Sequence, residues 1–278
     1  MTKQNAVRNT LAMAAGLTAV LTGVWTPTSS ALQQSGDNVR SQIAAILTGF
    51  DDPDWRNREQ AFYELLNLVE PGRRSLALGL WALEPAFDAF FKKYPDLKDQ
   101  VVFGLIDLLD RETIVHRNAA LGSLPEEFGG YEGDLIAAIR SLNDPRGADA
   151  LAAELGTGGM AGAAVAARGA REIDRVLAVL DTGDIAARIG ATHTLGLMLD
   201  PTVTTLDAQT RTKVKAGLLQ ASRDSHFAVR LAALDGLARL PDADVTAALQ
   251  AMRDADPYRR LDGTYPVRDR ARRVLAAR

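Results

Sequence analysis

The sequence contains no cysteine. This absence excludes disulfide bonds, cysteine-ligated zinc, iron–sulfur clusters and thiol catalysis. It also excludes a bacterial lipoprotein anchor, because such an anchor is attached to a cysteine at the cleavage site. Any function must therefore be carried by other side chains.

Other residues that carry catalysis or bind cofactors are scarce or scattered. The three histidines are His116, His193 and His226, and none is three or four residues from another. The sequence patterns of a catalytic serine, a phosphate-binding loop and a dinucleotide site are absent. The net charge is −3, which gives no overall electrostatic reason for nucleic-acid binding. We therefore expect no catalytic, cofactor-binding or metal-binding residue.

The first 31 residues have the pattern of an export signal. Lys3 and Arg8 form a basic start without an acidic residue, and an apolar run of 15 residues follows over 11–25. Ser29 and Ala31 are small residues at the two positions that signal peptidase recognises. A membrane span needs about 20 apolar residues, so we expect cleavage after Ala31 and no span afterwards, with an uncleaved N-terminal anchor as the alternative. The mature protein, 32–278, would be periplasmic or secreted.

The rest of the chain has the composition of a helical protein. Aromatic residues make up only 6%, so alanine, leucine and valine must build the core, and alanine and leucine favour helix. No segment alternates between apolar and polar residues as a strand does. Glycine, proline and aspartate breaks predict helices over 38–49, 55–69, 73–83, 85–93, 97–109, 112–124, 134–142, 145–155, 159–169, 172–180, 185–199, 208–221, 225–240, 243–252 and from 267 onwards. The predicted fold class is all-α.

Five of these helices share the pattern R-x-x-A-x-x-x-L. It begins at Arg58, Arg117, Arg188, Arg230 and Arg268. In a helix the alanine and the leucine lie within about 60° of the arginine, so each arginine stands on the apolar face. A buried charge is costly unless it is paired, so each guanidinium needs an acceptor. Aspartates lie four to seven residues upstream of each arginine.

The last three arginines of this pattern, Arg188, Arg230 and Arg268, are separated by 42 and 38 residues. These spacings are close to the period of a two-helix repeat. The stretches at 184–200 and 224–252 resemble HEAT repeats, particularly the short phycobilisome-lyase-like variety. The resemblance implies a HEAT-like solenoid of six to seven helix pairs over 32–278, weakest over 126–170. It also implies a ladder between neighbouring repeats, with Asp54, Asp184 and Asp224 joining the five arginines.

Aromatic residues are concentrated near the start of this domain. Ten of the sixteen lie in residues 50–103. A hydrophobic groove for a peptide or an apolar ligand would show this concentration, and so would a bulkier core at this end. As a hypothesis we assign Trp55, Trp81, Phe87 and Phe90 to a ligand groove, with the bulkier core as the alternative.

The expected function is non-catalytic: an exported scaffold that binds a protein or peptide on its concave face. One alternative is a lyase-like or chaperone-like protein for a small ligand, which the family resemblance implies. A second alternative is a nucleic-acid binder that uses the C-terminal stretch 259–278, where seven arginines stand against Asp262 and Asp269. The export signal argues against this last alternative.

Overall fold

Thirteen α-helices follow one another through the residues that the computed structural model describes, which are 29–71, 83–120, 131–157 and 159–278. No strand occurs in these residues, and the all-α fold class is confirmed. The helices are α1 (Ser29–Gly49), α2 (Trp55–Val69), α3 (Glu84–Lys93), α4 (Lys98–Ala120), α5 (Glu132–Ser141), α6 (Pro145–Ala153), α7 (Gly159–Ala167), α8 (Ile173–Thr182), α9 (Ile185–Met198), α10 (Ala208–Ala221), α11 (Phe227–Leu237), α12 (Ala243–Ala255) and α13 (Pro266–Ala276). Short 3-10 helices occupy Pro95–Leu97, Glu154–Gly156 and Gly169–Glu172.

Aspartate side chains begin several of these helices. Asp54, Asp144, Asp184 and Asp207 each accept a hydrogen bond from a backbone N–H in the first turn, at 2.7–3.0 Å. These bonds satisfy N–H groups that have no partner within the helix, and such caps stabilise a helix by about 1 kcal/mol. The caps explain why α2, α9 and α10 begin at the residues that the sequence predicts.

From α4 onwards most helices pack against their second neighbour along the chain, and this packing forms two layers. One layer contains α5, α7, α9, α11 and α13, and the other contains α4, α6, α8 and α10. Contacts such as those of α8 with α9 and of α10 with α11 join the layers. This sequential packing is that of an α–α superhelix, in which stacking buries the apolar face of each helix pair.

A continuous apolar core lies between the two layers. Two glycines allow α9 and α11 to touch, since a Cβ atom built on Gly196 would lie 3.3 Å from the Cα atom of Gly236. A Cβ atom on Gly190 would lie 1.5 Å from the Leu155 carbonyl oxygen, so no larger residue fits there without moving backbone. Small residues in the C-terminal half therefore set the close spacing of its helices.

The structure differs from the predicted helices in two places. The sequence pattern predicts separate helices over 97–109 and 112–124, whereas α4 runs unbroken through Asp110 and Arg111. Neither residue is a strong helix breaker, as glycine and proline are. The first helix begins at Ser29 rather than Asn38, so it includes the predicted cleavage site. Three predicted segments lie wholly or partly outside the described residues. They are the signal sequence up to residue 28, most of the predicted helix over 73–83 and the end of the predicted helix over 112–124.

Candidate functional site

Arg230 lies at the centre of a hydrogen-bonded ladder in the C-terminal half. It belongs to α11 and is buried, with 7% of its surface exposed. Its Nε and one terminal nitrogen donate to the two carboxylate oxygens of Asp256, at 2.6 and 3.0 Å. Its other terminal nitrogen donates to the carbonyl oxygens of Asp224 and Ser225, at 2.9 and 3.0 Å. One guanidinium therefore joins the turn before α11 to the turn after α12.

Arg188 repeats this arrangement one helix pair earlier. It donates to the two carboxylate oxygens of Asp224, at 2.9 and 3.3 Å, and to the carbonyl oxygen of Gly183 at 2.9 Å. Burial acts to raise the pKa of the Asp224 carboxyl, but the backbone N–H of His226 and the Arg188 guanidinium hold that pKa below its usual value. Asp224 links two rungs, because its side chain accepts from Arg188 and its carbonyl oxygen accepts from Arg230.

The last rung has a different acceptor. Arg268 in α13 donates from Nε to the carbonyl oxygen of Asp256 at 2.7 Å. Its guanidinium carbon lies 4.2 Å from the centre of the Tyr265 ring. A ring face attracts a cation, so Tyr265 gives the Arg268 guanidinium a second favourable contact.

Arg58 forms a similar group at the other end of the protein. It is buried and donates from Nε to Glu112 of α4 at 2.7 Å, and to the carbonyl oxygens of Asp52 and Pro53 at 2.7 and 3.1 Å. Tyr131 lies beside this pair, and burial together with Glu112 raises the pKa of its hydroxyl. The side chain of Arg117 lies outside the described part of the structure.

The aspartates assigned to the ladder from the sequence have two different roles. Asp224 bonds to Arg188, as described. Asp54 and Asp184 cap α2 and α9 through backbone N–H groups, and neither shows a side-chain bond to a ladder arginine within the described residues.

Two ladder acceptors, Asp256 and Glu112, were not identifiable from spacing. Asp256 is 26 residues after Arg230, and Glu112 is 54 residues after Arg58. Asp256 precedes Arg268 by 12 residues, because a long turn separates α12 from α13, so a search for acids four to seven residues upstream misses it. Asp256 could have been identified by analogy with Asp224, because both aspartates lie in turns between helix pairs.

The opposite ends of the helices meet at the turns between α5 and α6, α7 and α8, α9 and α10, and α11 and α12, and we call this the opposite edge. A second set of arginines lies at three of these turns, all except the one between α9 and α10. Arg168 is buried there and donates from Nε to the buried Glu172 at 2.7 Å. It also donates to the carbonyl oxygen of Arg140 at 2.9 Å. Arg175 donates to the same Glu172 carboxylate. These contacts join the α7–α8 turn to the end of α5.

Two clefts lie beside the ladder, one on each side of the turn between α10 and α11. The first measures about 690 Å³ and is bordered by Leu180, Ala216 and Leu219. The second measures about 710 Å³ and has a wall from α12 that includes Ala247 and Ala251. Arg223, Asp224 and Ser225 border both clefts. Alanine side chains are too short to fill the space between neighbouring helices, which leaves the second cleft open.

The aromatic residues assigned to a groove lie elsewhere. Phe87 and Phe90 have 0% and 7% of their surface exposed, and they pack against Phe91 with ring centres 5.8 and 5.7 Å apart. Trp55 is half-buried beside Arg56, and Trp81 lies outside the described residues. Phe87 and Phe90 therefore contribute to the core, which was the alternative interpretation, and the two clefts beside the ladder are in the other half of the protein.

Of the three histidines, the structure describes the side chains of His193 and His226. His226 caps α11, since its Nδ1 accepts from the Ala228 N–H at 3.3 Å, and His116 lies outside the described side chains. Within the described residues, no group of three or more histidine, aspartate or glutamate side chains is placed to hold a metal ion. None of the helices in this part combines the length and the apolarity of a membrane span.

Comparisons with known proteins do not add a family assignment. No family model matches the chain, and no curated protein matches it at a significant level. The geometry of the ladder and of the clefts therefore carries the functional argument.

Proposed function

We propose that this chain is an exported, non-catalytic HEAT-repeat module that binds a peptide segment of a partner protein in the clefts beside the ladder. The observation that carries the proposal is the pair of clefts around the α10–α11 turn, which share Arg223, Asp224 and Ser225. The HEAT assignment is supported by the repeated arginine pattern and by the two-layer packing of the helices.

The ladder supports binding because it holds the floor of both clefts in place. Arg188 borders the first cleft and Arg230 borders the second, and both side chains are fixed by hydrogen bonds to neighbouring turns. Association costs less free energy when the binding surface is already ordered. A stacked array with fixed turns therefore offers a pre-formed surface to an extended peptide.

The test blocks the second cleft and measures peptide binding. A displayed library of short peptides is selected on the immobilised full chain, and the dissociation constants of the selected peptides are measured in solution. Replacing the exposed cleft residue Ala251 by tryptophan should weaken binding by at least about tenfold, since it fills the cleft. Ala276→Trp, an exposed site in α13 away from both clefts, is the matched control. Equal binding by both variants would exclude the second cleft as the site.

Export is tested separately. The full chain is expressed in a bacterium, and the N-terminus of the protein in the envelope and secreted fractions is sequenced. We expect a mature form that begins at Leu32. An intact Met1 form that stays in the cytoplasm would contradict the export proposal and leave the binding proposal in place.

A further inference from the structure

We infer that the occupant of the clefts is an acidic peptide segment, with a carboxylate that pairs with Arg223. This inference rests on the proposed function and identifies the chemical class of the partner. The chemical class follows from which charges at the clefts already have partners.

Most charged groups at the clefts are neutralised within the protein. Arg188 is bonded to Asp224, and Arg230 is bonded to the buried Asp256. These two pairs contribute no net charge to the floor of the clefts. A ligand that displaced either pair would leave a buried charge without its partner, which is costly.

The acid on the wall formed by α12 also has a cation bonded to it, although Lys215 compensates only one of two carboxylate charges. Asp244 borders the second cleft, and Lys215 of α10 lies 3.1 Å from its carboxylate and 3.0 Å from that of Asp242. The Lys215 side chain therefore bridges α10 and α12, and the carboxylate of Asp244 is not an open site for a cation.

Arg223 is different from these groups. It is exposed at the start of the α10–α11 turn and borders both clefts. Its guanidinium forms no hydrogen bond or ion pair with any residue that the structure describes. It is therefore the cation at this site that is available to a ligand, and a carboxylate is the group that its planar donors bind best.

The two clefts differ in charge, and this difference places the carboxylate. The first cleft contains Asp181, which accepts a hydrogen bond from Gln220 and has no cation bonded to it within the described residues. An acidic ligand would be repelled there. The second cleft has no unpaired acid in the described residues that border it, so the ligand carboxylate belongs on the side of Arg223 that faces α12.

The walls of the second cleft favour a peptide over a phosphate or a nucleic acid. Ala247, Ala251 and Ala255 are exposed along one face of α12, and they offer apolar contacts to small side chains. A phosphate site usually combines several cationic or backbone donors, whereas a single available cation borders this cleft. The combination of one cation and a small apolar wall matches an acidic residue flanked by small apolar ones.

The experiment uses the selected peptides and two charge-reversal variants of the full chain. We expect the peptides to be enriched in aspartate or glutamate, and we expect Arg223→Glu to weaken their binding by at least about tenfold. Changing the key glutamate of a selected peptide to glutamine should weaken binding to the unmodified protein by a similar factor and have little further effect on the variant. Arg211→Glu is the matched control, because Arg211 is also an exposed α10 arginine without a partner among the described residues.

The outcomes separate this inference from the proposed function. Acidic peptides that lose binding with Arg223→Glu and keep it with Arg211→Glu support the inference. Peptides that are blocked by Ala251→Trp yet indifferent to Arg223→Glu would overturn the acidic assignment and leave the proposed function in place. Peptides that are indifferent to both changes would exclude the second cleft and overturn the inference, and a selection that yields no binder would overturn both the inference and the proposed function.

Discussion

The two edges of the helical array use arginine in different ways. On the ladder edge, Arg188 and Arg230 come from the same position of the repeat pattern, and each bonds to turn carbonyls and to a carboxylate of the next helix pair. On the opposite edge the arginines come from turns and helix ends. Arg168 is buried with Glu172, whereas Arg239 pairs with Asp200 at the surface, with 42% of its side chain exposed. The ladder edge repeats and can be recognised in the sequence, whereas the opposite edge joins each pair of turns by separate contacts.

The largest effect is expected on the ladder edge, for Asp256→Ala. The change leaves the Arg230 guanidinium buried with only the carbonyl oxygens of Asp224 and Ser225 as acceptors. An uncompensated buried charge costs about 3 kcal/mol or more, and the free energy of unfolding measured by urea denaturation should fall by that amount. Asp254→Ala, which removes a neighbouring exposed carboxylate, is the control. Equal effects of the two changes would mean that the ladder does not stabilise the array.

A smaller effect is expected for Arg168→Ala on the opposite edge. Arg168 is also buried, but its partner Glu172 keeps Arg175 and Arg171 as neighbours, so its charge stays compensated. The remaining cost is the loss of hydrogen bonds to buried groups, which is about 2 kcal/mol, measured in the same denaturation experiment. A loss as large as that of Asp256→Ala would show that the two edges contribute equally.

The opposite edge should also give the protein a specific acid sensitivity through Asp144. Hydrogen bonds from Arg146 oppose the effect of burial and lower the pKa of this carboxyl from 3.8 to about 2. A lowered pKa stabilises the folded state above pH 3.8, and this contribution is lost as the pH falls towards about 2. Asp144→Asn should therefore flatten the stability profile in this window, as measured by denaturation at a series of pH values. An unchanged slope would show that other acids determine the acid response.

The smallest effect is expected for Arg239→Ala. Its bond to Asp200 joins two turns at 2.9 Å, but the pair is exposed to solvent, and exposed pairs contribute about 0.2–1 kcal/mol. The difference in stability should shrink further at high salt, because salt screens surface charges. A loss that persists at high salt would show that the contact stabilises the opposite edge more than its exposure suggests.

Local signals in the sequence were sufficient for most of the helices. Both boundaries of α2 and α10 are as predicted, because each begins at an aspartate cap and carries an apolar stripe. The break predicted at Asp110 and Arg111 was wrong because an aspartate was interpreted as a helix end where the local residues permit a helix. Periodicity and caps act over a few residues, so the amino-acid sequence alone is enough to reveal them.

The candidate site was predictable only in part. The position of Arg230 on an apolar helix face follows from the sequence, since helical spacing fixes which residues share a face. Its acceptor Asp256 does not, because the long turn before α13 changes the spacing between arginine and acid. The clefts could not be predicted at all, because the space beside Ala251 is open only if the neighbouring helix packs far enough away, and the sequence does not show that distance.

The amino-acid sequence alone is sufficient to predict the helical fold class, the positions of most helices and the apolar face on which Arg58 and Arg230 are buried. The tertiary structure decided which acid each arginine binds, which aspartates are caps and where the stacked helices leave clefts. The physical reason is the range of the interactions involved. Helix formation and capping depend on neighbours within a turn or two, whereas ion pairing and open space depend on residues brought together only by stacking. Arg223 is the clearest case, because its lack of a partner among the described residues is a property of the assembled turns and not of its own surroundings in the chain.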